Sequence, residues 1–101
     1  MIRETKKTYE KIGTISVDSG LVLIGDPCYF LHNQKPASMG KNWKEFCTEI
    51  ENNQHHEFWH DIGRPGAAIT ASTGYGDGEY DVMAEKINGR ISKITITFIE
   101  G

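Results

Sequence analysis

The stretch Ile12-Gly13-Thr14-Ile15-Ser16-Val17-Asp18-Ser19-Gly20-Leu21-Val22-Leu23-Ile24 decides the fold class, because it sets two strand patterns on either side of a turn. Ile15 and Val17 alternate with Thr14 and Ser16, as in a strand with one wet face. Leu21 to Ile24 is an unbroken apolar run, as in a strand covered on both faces. Asp18-Ser19-Gly20 suits a type I turn closed by a left-handed glycine. The hairpin this predicts pairs Val17 with Leu21 and Ile15 with Leu23.

Outward from that hairpin, residues 1–10 are charged and poor in apolar side chains, and read as a flexible tail or weak edge strand. Downstream, Pro27 ends the second strand, since it cannot donate and forces Asp26 out of the helical region. Phe30 to Lys41 reads as a surface loop. Asn42 then fits an N-cap, with Glu45 three residues on completing a capping box. Trp43, Phe46, Cys47 and Ile50 form one apolar stripe of a short helix, which must bury Trp43 and Phe46 against a sheet because it is marginal alone. His55 to Gly66 reads as a second loop, anchored by Phe58 and Trp59. Ala67 to Ala71 is a short strand, Gly74 to Gly78 a glycine turn, and Glu79 to Lys86 an alternating strand. The fold expected is α+β: about five strands in one mostly antiparallel sheet, with one helix between strands 2 and 3.

The closing hairpin poses a register problem. A two-residue loop at Asn88-Gly89 pairs Ile87 with Arg90, and carried back it sets Val82 against Thr95, an apolar face against a polar one. A three-residue loop, Ile87-Asn88-Gly89, restores the pattern by pairing Val82 with Ile94 and Tyr80 with Ile96, and is the expected arrangement. The alternative keeps the tight turn and absorbs one residue in a bulge near Ser92, pairing Val82 with Ile96. The odd parity of Ile91 speaks for that alternative.

Composition bounds the function. The chain has 101 residues, 38% of them hydrophobic, enough for one domain over residues 11–101. A formal net charge of −3 argues against nucleic-acid polymers as partners. No apolar run is long enough for a membrane span or a signal peptide. Two cysteines make no disulfide scaffold, so the expected compartment is the reducing cytoplasm.

Candidate sites follow from residue chemistry. His55, His56, His60 and Asp61 carry metal donors, but they lack HExxH spacing, so no metal and no cofactor are expected. Cys28 stands where a nucleophile could be displayed, yet free cysteine is more often a small buried side chain. Asp26 fits an Asx turn beside Pro27. Ser72-Thr73-Gly74-Tyr75-Gly76-Asp77-Gly78 offers N–H groups, hydroxyls and a ring that could hold a phosphate and stack a base. The same glycines also suit a tight connection between strands. Glu79 and Asp81 alternate on a solvated strand face.

Gly13 to Gly20 running on to Gly25-Asp26-Pro27-Cys28-Tyr29, together with Ser72 to Val82 and the strand ending at Phe98, resemble a set of small uncharacterised proteins of bacteria and their phages. That set includes a family of unknown-function domains with an SG…GDPCY opening and an SGxGDGxYxV closing hairpin. The loops around Pro36 and His55 have no counterpart in it. The resemblance implies the order of motifs, and by association a host-interaction or defence-countering role.

The expected function is a non-enzymatic binding protein, acting as a homo-oligomer, that holds a small polar ligand or a host protein. Its ligand residues would be Asp26, Cys28, Tyr29, Trp59, Arg64, Ser72, Thr73, Tyr75 and Asp77. In the sharper form it sequesters a nucleotide-type signal, with Tyr75 or Trp59 stacking the base and Arg64 or Arg90 neutralising charge. The alternative is a small hydrolase using Asp26 or Cys28 with a histidine, for which no complete base–nucleophile–orienter set can be named.

Overall fold

The computed structural model describes residues 5–31, 35–74 and 76–99. Along the chain run β1 (Lys7–Val17), β2 (Leu21–Gly25), α1 (Cys28–Leu31), a 3-10 turn (Ala37–Met39), α2 (Trp43–Ile50), β3 (His55–Phe58), β4 (Ala68–Ser72), β5 (Gly78–Ile87) and β6 (Arg90–Ile96). The class is α+β, but the strands form two antiparallel three-stranded sheets, ordered β1-β5-β6 and β2-β4-β3, in place of the single sheet expected. The chain divides into two compact units, Met1–Gly20 with Thr73–Gly101, and Leu21–Ser72. None of the helices among the described residues is long and apolar enough to cross a membrane.

The hairpin expected between β1 and β2 does not form. Val17 pairs with Gly78, and Leu21 pairs with Ser72. The reason is strand length. β1 begins at Lys7, and its ladder with β5 runs from Lys7–Ile87 to Val17–Gly78, broken by one shift at Ile12. A five-residue partner such as β2 would leave the N–H and C=O groups of Thr8 to Lys11 unpaired, so the long partner satisfies more of the backbone. Lys7–Glu10 is thus edge strand, and the charges of Lys7, Glu10 and Lys11 blunt that edge. Met1–Glu4 lie outside the described residues.

The closing hairpin takes the bulged register, not the expected three-residue loop. Ile87 pairs with Arg90 across Asn88 and Gly89, whose φ values of 52° and 82° are those of a two-residue turn with both central residues left-handed. Lys86 then pairs with Ile91 but Glu85 with Lys93, so Ser92 is the extra residue. Val82 meets Ile96 and Ala84 meets Ile94, keeping apolar against apolar. The Tyr80 and Phe98 rings meet edge to face at 5.4 Å. What the bulge gains is the contact of Ser92 and Lys93, both on β6, with Glu85. Its buried carboxylate lies 3.2 Å from Lys7 Nζ and 3.5 Å from Lys93 Nζ, accepts from the Tyr9 hydroxyl, and sits 3.1 Å from Ser92 Oγ. Burial pushes this carboxyl upward, but the Lys7 ammonium, the Ser92 hydroxyl and the Lys93 charge outweigh it and hold it below the usual glutamate range.

The Leu21–Ser72 unit is built on Met39, Ile50, Phe58, Ala67 and Ala68, with Leu21, Phe30 and Phe46 packed against them. α2 starts as expected: Asn42 is extended, and its Oδ1 accepts from the Glu45 N–H at 2.9 Å. His55–Phe58 is a strand, not the expected loop. β4 is the central strand and needs a partner on each side; alternation then gives Phe58 to the core while Glu57 stays exposed. The segment expected as loop from Phe30 to Lys41 includes the end of α1 and the 3-10 turn, so the helix between the second and third strands is not alone.

Burial deepens along α2, from Trp43 at 58% exposed to Ile50 at 3%. The expectation that Trp43 is buried therefore fails: helical periodicity gives a direction, but the first turn of this helix stands off the core. Cys47 is half-buried, and Cys28, expected inside, is exposed.

Candidate ligand-binding groove

The exposed end of α2 opens a groove of about 360 Å³, within the range of about 300–1,000 Å³ typical of small-molecule sites. Its floor is an aromatic stack. Trp43 and Phe46, one helical turn apart, stack at 5.5 Å with planes 22° apart, and Phe46 stacks on Phe58 at 5.2 Å and 18°. Phe58 has no exposed surface, Phe46 is half-buried, and the Trp43 indole is the exposed end of the series. Leu23, Phe30 and Met39 supply the remaining apolar lining. Phe30 can lie there because residue 25 is glycine: a Cβ at that position would stand 3.0 Å from its ring.

Two polar side chains complete the lining, Lys35 and Asn42. Asn42 uses its carbonyl oxygen as the helix cap, and among the described residues its amide N–H₂ has no partner. Beyond Lys35, the chain is pinned by Ala37 N–H donating to Asp61 Oδ1 at 2.9 Å and by Ser38 Oγ donating to the Trp59 carbonyl at 2.8 Å. Such a groove can stack a flat ring on one side and offer it one cation and one amide donor. Among the described residues its lining holds no carboxylate, cysteine, serine or histidine.

The residues expected to bind ligand from sequence are distributed otherwise. Asp26, Cys28, Tyr29, Trp59, Arg64 and Ser72 belong to the Leu21–Ser72 unit, Thr73 and Asp77 to the other unit, and Tyr75 lies outside the described residues. Asp26 makes the Asx turn, its Oδ1 accepting from the Cys28 N–H at 3.0 Å, and that backbone bond together with the Cys28 side chain holds its carboxyl below the usual range. The same carboxylate, hydrogen-bonding the Cys28 side chain, pushes the thiol upward, the reverse of what a cysteine nucleophile needs. Tyr29 meets His60 edge to face at 4.7 Å, and no hydrogen bond joins Asp26 or Cys28 to a histidine among the described residues. Trp59 is 47% exposed, and Arg64 is exposed, its carbonyl accepting from the His60 N–H.

Thr73 and Gly76 bridge the glycine-rich turn. Thr73 is buried, its Oγ1 donates to the Gly76 carbonyl at 2.9 Å and accepts from the Gly76 N–H at 3.1 Å, and the Tyr80 hydroxyl also donates to that carbonyl. Gly74 and Gly76 both sit at φ 81°, so these glycines serve the turn. No group of three or more His, Cys, Asp or Glu side chains placed to hold a metal occurs among the described residues; His55 and His56 alternate on β3, and the His56 ring packs edge to face on Phe58.

Lys35, Leu23, Phe30, Met39 and Asn42 are lining residues that the sequence did not single out as ligand-binding. The signal that could have found the groove is the Trp43–Phe46 pair itself, which carries more aromatic area than the first turn of an eight-residue helix can bury. No protein-family model, curated protein or solved structure matches the chain.

Proposed function

We propose that this protein is a small non-enzymatic binding protein whose groove beside α2 takes up a small ligand carrying a flat ring. The observation that carries the proposal is the exposed Trp43 at the end of a stacked series, facing an apolar groove with a polar rim. An exposed tryptophan on the apolar stripe of a short helix forgoes burial that a ligand ring would restore. The resemblance to phage-associated proteins supports a sharper version, in which binding sequesters a nucleotide-type signal and so counters host defence. Binding is favoured over hydrolysis by the Asp26 carboxylate, which accepts from the Cys28 N–H in a turn and pushes the Cys28 thiol upward.

The test is a thermal-shift screen against nucleotides and aromatic metabolites, with product formation followed for every hit. The expected result is binding without turnover, abolished in Trp43→Ala and kept in Cys28→Ser. Turnover that disappears in Cys28→Ser or Asp26→Asn would overturn the proposal.

A further inference from the structure

Resting on that assignment of the groove, we infer that its ligand is a planar aromatic ring bearing an anionic group, with the ring stacked on the outer face of the Trp43 indole and the anion held by Lys35. The three rings Phe58, Phe46 and Trp43 form a series of near-parallel planes, 18° and 22° apart, that ends in exposed indole. A fourth flat ring laid on the exposed indole continues that series, and aromatic faces are general stacking platforms for bases. An aliphatic ligand would make no use of that parallelism.

The charge of the lining points to an anion independently of the stacking. The chain carries 14 acidic against 11 basic side chains, so a lining chosen at random tends to include a carboxylate. The groove lining includes none among the described residues; Lys35 is its one ionisable group, and Asn42 adds a neutral amide donor. A cation and an N–H₂ beside an apolar floor match a phosphate or carboxylate attached to a ring, and give a cationic ligand nothing to pair with. The glycine-rich turn at 72–78, the sequence's candidate for that anion, already commits the Thr73 hydroxyl and the Gly76 N–H to each other.

The experiment uses the full chain labelled with ¹⁵N and follows its two tryptophan indole N–H signals, assigned with Trp43→Phe. Three pairs of probes differ in charge: AMP and adenosine, UMP and uridine, indole-3-acetate and indole-3-acetamide. The first two pairs represent nucleotides, the third free aromatic acids. The expected result is saturable movement of the Trp43 signal but not the Trp59 signal, with the anion of at least one pair binding several-fold tighter than its neutral partner. Lys35→Gln, folded by the same spectra, should bring the two members of that pair together, as should 0.5 M salt at about 4 Å Debye screening. If neutral and anionic members bind Trp43 equally, or if Lys35→Gln keeps the preference, the anion assignment fails while the groove survives. If only the Trp59 signal moves, or no probe moves Trp43, the groove assignment itself fails.

Discussion

Removing the Phe58 ring should cost far more stability than removing the Trp43 ring, although both belong to one stack. Phe58 has no exposed surface, sits among Met39, Ile50, Ala67 and Ala68, and touches two rings, Phe46 at 5.2 Å and His56 at 4.7 Å. The neighbouring Ala67 and Ala68 are too short to swing in and refill the space. Phe58→Ala should therefore fall within the cavity-forming range of about 3–5 kcal/mol, a large part of the total of about 5–15 kcal/mol that such domains possess. Trp43 is 58% exposed, so its truncation uncovers much less apolar area and breaks only the stacking on Phe46; about 1–2 kcal/mol is expected. Urea unfolding followed by far-ultraviolet circular dichroism measures both. With a slope of about 2 kcal/mol per molar, the midpoint should drop by about 2 M for Phe58→Ala and by less than about 1 M for Trp43→Ala. Equal drops would refute the reasoning, because they would mean that the indole is as enclosed as the ring beneath it and that no open groove exists.

Three further outcomes follow from named interactions. Glu85 has a folded pKa below its unfolded value, so its contribution is present above about pH 4.3 and disappears as pH falls through the lowered folded value; the stability gap between the protein and Glu85→Gln should shrink on going from pH 7 to pH 3, and a constant gap would contradict the Lys7–Glu85–Lys93 assignment. In a Cys47→Ser background, Cys28 should react with iodoacetamide more slowly at pH 8 than a free cysteine does, and Asp26→Asn should speed it; no change in rate on that substitution would show that the carboxylate does not govern the thiol. Asn42→Ala should lower stability by about 1 kcal/mol and speed exchange of the Glu45 amide proton, whereas unchanged exchange would remove the cap.

What the sequence discloses here is whatever a few neighbouring residues determine. The helix is legible because Asn42 and Glu45 meet within one turn. The Asx turn at Asp26 is legible for the same reason. The register of the last hairpin could be narrowed to two arrangements by parity, but parity is silent on the polar contacts of Ser92 and Lys93 with Glu85 that accompany the bulged one. The β1–β2 hairpin misleads because its turn chemistry is sound while its competitors, β4 and β5, are distant in sequence. Trp43 misleads in another way: periodicity says which way it faces and is silent on whether anything stands opposite.

The pairing of Leu21 with Ser72 shortens the loop that the β1–β5 ladder has to close. It falls where the chain leaves the first unit and returns to it, and next to it the Thr73 N–H donates to the Gly20 carbonyl at 3.0 Å. Joining β1 to β5 at Val17–Gly78 in an otherwise unfolded chain means closing a loop of about sixty residues, at an entropic cost of about 3–4 kcal/mol from the logarithmic term alone. Once β2 has found β4 that loop is already shut, and β1 can zip along β5 from Val17–Gly78 toward Lys7–Ile87. Substitutions in the Leu21–Ser72 core should thus slow the folding of both sheets, while those near Lys7 and Ile87 act chiefly on the unfolding rate.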